Sequence, residues 1–154
     1  MTNVTNRLEQ LGIEVPALSP AAGQYVPAVV VGNLLFASGQ TPTSAGRQTI
    51  VGRVGDDVSL EAARDGARLA MLNMLSGVAA VAGSLDRVRR VVRVTGYVRS
   101  APGFSEQPAV VDGASALLLQ LWGDAGRHER TSIGVAELPG GAPVEVELIV
   151  ELDT

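Results

Sequence analysis

Residues 143–152, PVEVELIVEL, alternate almost without interruption. Val144, Val146, Leu148 and Val150 fall on one side of an extended chain, and Glu145, Glu147, Ile149 and Glu151 on the other. A period of two fits a strand with one face in a core. A chain built around such a strand needs a second layer over its apolar side. Two segments can supply it. Ala63, Ala67, Ala70, Met74, Val78 and Val81 recur at helical spacing behind Ser59, a good N-cap, and Gly83 stops the run. A second helix is expected from near Pro108, with Val110, Ala114, Leu117, Leu118 and Leu121 as its stripe, ending before Gly123 or Gly126.

The remaining strands follow from local signals. AVVVGNLLFASG is two apolar runs split by Gly32-Asn33, a two-residue turn, and reads as a hairpin. In DRVRRVVRVTGYVRS, Val92, Val94, Gly96 and Val98 are expected to face the core, with Arg89, Arg93, Thr95, Tyr97 and Arg99 on the other face. One short strand is expected around Thr49 to Val54. The last two strands, roughly 130–137 and 143–152, are joined by LPGGAP and read as a final hairpin. Residues 3–11 form a short helix ended by Gly12, inside an N-terminal extension of residues 1–23. The order β-β-(β)-α-β-α-β-β predicts a single α+β domain over 1–154. It has two layers, a mixed sheet of about six strands and two helices on one face. The uncovered face would carry Arg93, Thr95, Tyr97, Glu145, Glu147 and Glu151 together with Ile149. It reads as an inter-subunit surface or as an ordinary solvated face.

Composition removes several classes of function. Of 154 residues 18% are charged, with a net charge of −4 and no basic block, so no nucleic-acid partner is expected. The absence of Cys rules out thiol chemistry and disulfides, and all 12 cations are Arg, which excludes a lysine Schiff base. The single His, His128, leaves little for a metal, and none is expected. MTNVTNRLEQ does not read as a secretory signal, and no membrane span is expected. The expected compartment is the cytoplasm.

Arg130 heads an apolar run in RTSIGVAELP. If Ile133 and Val135 share a face with Val144, Val146 and Leu148, then Arg130, Ser132, Gly134 and Ala136 share the other with Glu145, Glu147 and Glu151. Two readings stay open. The guanidinium pairs across the strands with Glu151 or Glu147, or its small neighbours leave room for an incoming carboxylate in bidentate contact.

QYVPAVVVGNLLFASGQ (24–40) and RTSIGVAELPGGAPVEVELIV (130–150) resemble the two signature stretches of the RidA/YjgF family. Tyr25, Gly32-Asn33, Ser38-Gly39-Gln40, Arg130, Leu138-Pro139 and Glu145 carry the resemblance, which spans most of the chain from about residue 24. It implies a chorismate-mutase-like fold and a homotrimer with ligand clefts between subunits. The implied activity is hydrolysis of reactive enamine and imine acids, such as 2-aminoacrylate, to 2-keto acids and ammonia, with no cofactor. By the same resemblance Arg130 binds the substrate carboxylate, and Gly39 offers a backbone contact. Tyr25 lines the cleft and Glu145 positions or protonates through water. Ser132, also placed in the substrate site, stands where deaminase members usually carry Cys. Gly134 replaces a common acidic residue, and Pro102-Gly103 stands where a cleft Asn is frequent. The competing reading is a non-catalytic trimer that binds a small carboxylate. A remoter one is an endoribonuclease or translation inhibitor. His128, two residues before Arg130, reads as a loop histidine or as a shuttle beside the cleft.

Overall fold

The alternating C-terminal strand takes a central position in the sheet. A computed structural model describes residues 3–154. Helix α1 spans Val4–Leu11 between an Asn3 cap and left-handed Gly12. The hairpin β1 (Ala28–Val31) and β2 (Leu34–Gln40) turns at Gly32-Asn33, where Gly32 takes φ +64°. A two-stranded ribbon follows, β3 (Thr43–Ser44) and β4 (Arg47–Gln48). Then come α2 (Leu60–Ala82), β5 (Val88–Arg99), α3 (Gln107–Trp122), β6 (Glu129–Val135) and β7 (Val144–Leu152). The main sheet has five strands in the order β1-β2-β7-β5-β6, with β5 and β6 parallel and every other pair antiparallel.

The α+β, two-layer expectation holds, with five strands plus the ribbon in place of about six. Ser59 caps α2 by accepting from the Ala62 amide, and Gly83 ends it at φ +88°. Along α2 the apolar stripe is buried from Ala63 to Val78, while Val81 is exposed. On α3 the whole stripe Val110, Ala114, Leu117, Leu118 and Leu121 is buried against α2 and the sheet. The two helices approach closely because Gly113 faces the backbone carbonyl of Arg64 with no room for a side chain. Gly96 does the same for α3 on the sheet, since a methyl group there would strike Val111.

Three local expectations are corrected. The strand expected at Thr49 to Val54 lies earlier, as the Thr43–Gln48 ribbon. Val54 makes only isolated bridges, to Val58 and Ser100. In β5, irregularities between Val88 and Arg90 and between Val91 and Arg93 shift the alternation, so Val91 rather than Val92 enters the core.

The third correction concerns the last two strands, which are not a hairpin. β5 lies between them, because α3 carries the chain from β5 to a parallel neighbour on the far edge. The segment after β6 then crosses the end of β5, and β7 fills the gap between β2 and β5. This inverts the expected faces of β6. Arg130 aligns with Val94, and Val94 with Leu148, so Arg130, Ser132 and Gly134 lie on the helix side. Thr131 and Ile133 lie on the open side with Thr95, Tyr97, Glu145 and Glu147.

Candidate functional site

The stretch Ser38-Gly39-Gln40 shapes one wall of a cleft. Ala37 pairs with Leu148 and Gln40 with Val146, so Ser38 and Gly39 together oppose Glu147, a bulge in β2. Each bulge residue has a separate task. The Ser38 hydroxyl donates to the Val26 carbonyl at 2.7 Å, and its amide donates to Pro27 O at 2.9 Å. These bonds tie the lead-in segment to β2. Gly39 leaves space that the Glu145 carboxylate occupies.

The resulting open cleft of about 670 Å³ is bordered by Tyr25, Gly39, Gln40, Asn73, Gly140 and Glu145, among others. Its polar end is braced. The Asn73 amide donates to Thr43 O at 3.0 Å and Thr41 O at 3.2 Å, and Gln48 Nε2 donates to the Thr41 hydroxyl at 2.9 Å. Pro139 and Gly140, in the segment between β6 and β7, close the rim, with Gly140 at φ +64°.

Charge in this region is tuned by burial. Glu145 is held above the ordinary carboxylate range, mainly by desolvation and then by the charge of Glu147. Tyr97 donates its hydroxyl to Glu147, and that bond, with burial and the two glutamates, pushes the phenol up to about 12. The Glu147 carboxylate is thus fixed, while Glu145 makes no side-chain hydrogen bond among the described residues. A half-buried carboxyl with a raised pKa and no fixed partner is suited to proton transfer.

Tyr25, Gly39 and Glu145 all border this one cleft. Arg130 and Ser132 lie on the edge strand, on the other face of the sheet from Glu145. Within one chain the two groups do not share a site, and the expectation that Arg130 sits beside Glu145, Glu147 and Glu151 is overturned by the strand order. Neither Glu151 nor Glu147 pairs with Arg130. Glu151 meets Arg89 at 3.5 Å.

Arg130 is instead organised by α3. Its Nη1 donates to Asp112 Oδ1 at 2.7 Å and to the Ser115 hydroxyl at 3.1 Å, and its Nη2 donates to Pro108 O at 3.3 Å. Three of the five guanidinium N–H groups are used. The Asp112 contact is an ion pair, and Nε and one Nη2 hydrogen have no partner among the described residues. Free guanidinium N–H groups suit a carboxylate acceptor. His128 extends this network. Its Nδ1 lies 2.6 Å from Gly126 O and therefore donates, leaving Nε2 to accept from the Ser115 hydroxyl at 2.9 Å. His128 is a half-buried structural residue, neither a free loop side chain nor a member of the Glu145 cleft. Asp112 and Ser115 carried no sequence signal, because only the packing of α3 on β6 brings them to Arg130. Ser132 has a buried hydroxyl with no partner among the described residues.

The chain belongs to the YjgF/chorismate mutase-like family. Residues 5–152 match its model, described as "YjgF/chorismate mutase-like, putative endoribonuclease". Similar proteins include TCP17 of Trypanosoma cruzi, 41% identical over 97% of this chain and 94% of that one. The 2-iminobutanoate/2-iminopropanoate deaminase of Dermatophagoides farinae is 30% identical over 92% of this chain and 95% of its own. The crystal structure of Atu1372 from Agrobacterium tumefaciens superposes with a TM-score of 0.87 at 41% identity, covering 98% of this chain and 92% of that one. Among the described residues no helix is long and apolar enough to cross a membrane.

Proposed function

We propose that this protein hydrolyses 2-imino and enamine acids to 2-keto acids and ammonia, in clefts shared between the subunits of a homotrimer. The observation that carries the reading is Glu145. It is a half-buried carboxyl with a raised pKa, facing an open cleft beside the side-chain-free Gly39. The likeness to the mite deaminase supports the reaction class.

Arg130, on the sheet edge, binds the substrate carboxylate of a neighbouring subunit's cleft through its free Nε and Nη2 N–H groups. Tyr25 covers the substrate. Glu145 donates a proton to the imine nitrogen while water adds to the imine carbon. Glu145 takes a proton back from the added water and passes it to the carbinolamine nitrogen. The C–N bond then breaks with ammonia as the leaving group, and the hydroxyl proton of the nascent keto acid returns to Glu145. Positioning and proton transfer suffice for this chemistry. An assembly through the open sheet face is supported by its exposed Val29 and Phe36, which adjoin Ile149 on that face.

Cleavage of RNA is a weaker reading, because three arginines of β5 face carboxylates. Arg89 pairs with Glu151, Arg93 with Glu129 and Arg99 with Glu137. The direct test generates 2-iminobutanoate in situ and follows ammonia and keto-acid release. Acceleration above the buffer rate is expected. Tight binding of 2-ketobutyrate with no acceleration would instead make the protein a carboxylate-binding trimer.

A further inference from the structure

The cleft is much larger than a three- or four-carbon acid requires. Its volume of about 670 Å³ falls in the range of roughly 300–1,000 Å³ that holds drug-sized ligands. One of its walls is the segment 17–27 ahead of β1. Ala17, Leu18, Pro20, Ala21 and Ala22 line the cleft, and all five are exposed to solvent or to the cleft. The same lining carries the polar groups Glu145, Gln40 and Asn73.

The segment is laid across the surface like a strap. Among the described residues no hydrogen bond holds residues 14–25, and the anchors lie at its two ends. Ile13 and Val15 pack on the core at one end. At the other, Ser38 holds Val26 and Pro27. Between them Leu18 and Pro27 rest over Gly77 of α2, where a methyl group would meet Pro27 Cβ at 3.2 Å. A second cavity of about 490 Å³ adjoins the cleft, sharing Ala17, Leu18, Pro20, Thr43, Gly46 and Asn73 with it and reaching Leu69 and Ala45. The strap is therefore a wall that no hydrogen bond fixes along its middle.

We infer that the strap is the specificity wall of the site, and that the preferred substrate is a 2-imino acid with an extended apolar side chain. The reacting C=N sits beside Glu145, and the side chain lies along Ala17, Leu18 and Ala21. This rests on the cleft being the substrate site, but not on turnover.

The test therefore has a binding arm and a turnover arm. Binding of the stable 2-keto acids from pyruvate to 2-ketooctanoate is measured on the full-length protein by calorimetry, and turnover is measured on the matching imino acids. Affinity is expected to rise about two- to fourfold per added methylene. Ala21→Trp, an exposed position, is expected to remove that gain, so that the ratio of 2-ketooctanoate to pyruvate affinity falls toward one. A flat affinity series, or an Ala21→Trp variant that weakens short and long acids alike, would overturn the inference. A graded binding series with no turnover would leave the strap as assigned and defeat the deaminase reading instead.

Discussion

The Glu145 carboxylate lies where a side chain at residue 39 would begin: a Cβ on Gly39 would stand 2.5 Å from Glu145 Oε1. The glycine therefore sets the position of the acid. In Gly39→Ala the carboxylate must swing away, which is cheap in stability because only the end of a flexible side chain moves. Turnover is expected to fall at least about tenfold, with unfolding free energy changed by less than about 1 kcal/mol. Steady-state kinetics beside thermal melts check both halves.

Glu147 raises Glu145 by charge repulsion, second to burial. If Glu145 must be protonated to act, turnover falls on the alkaline side as it ionises, at a pH above the ordinary carboxylate range. Glu147→Gln removes the repulsion, so Glu145 loses its proton more readily and the alkaline limb moves to lower pH. A pH–rate profile of both proteins reads the shift. Linkage has the same sign. The folded state holds this proton more tightly than the unfolded chain, so this group's contribution is greatest below the unfolded pKa. It declines as pH rises from there through the raised folded pKa. Glu145→Gln should flatten that slope.

Ser115 steers Arg130 from behind, accepting from Nη1 while donating to His128. Ser115→Ala leaves Nη1 with Asp112 alone and His128 Nε2 without its donor. The loss of one such hydrogen bond costs about 0.5–1.5 kcal/mol, so 2-ketobutyrate should bind roughly two- to tenfold more weakly. Ser115→Thr, which keeps the hydroxyl, should restore most of the affinity. Calorimetric titration distinguishes this from general destabilisation.

Gly113 meets the Arg64 carbonyl, a backbone atom that cannot step aside. Gly113→Ala should push α3 off α2 at a cost of about 1–3 kcal/mol or more, lowering the thermal midpoint by roughly 2–4 °C per kcal/mol. Scanning calorimetry checks it.

How much of this was legible follows from which interactions are local. The alternation of β7, the Gly32-Asn33 turn, the Ser59 cap and the α3 stripe depend on neighbours in sequence, and each was readable. The clustering of Tyr25, Gly39 and Glu145 was reached through family resemblance, since their spacing alone does not join them. What failed was long-range. The short LPGGAP connection suggested a hairpin, yet the parallel β5–α3–β6 unit sends β6 to the edge and turns Arg130 to the helix side. Nothing local in β5 announced the irregularity that puts Val91 in place of Val92. The Asp112 partner of Arg130 is likewise set by helix packing, so neither Glu147 nor Glu151 could be eliminated beforehand.

Because Arg130 and Glu145 lie on opposite faces of one chain's sheet, a site that uses both must take them from different subunits. Arg130→Ala and Glu145→Gln proteins, each expected to be inactive alone, can be mixed after unfolding and reassembled together. With random trimers, about one quarter of sites join an intact Arg130 to an intact Glu145, so 2-iminobutanoate hydrolysis should return to about a quarter of the wild-type rate. Mixed trimers that form but stay inactive would contradict the shared site.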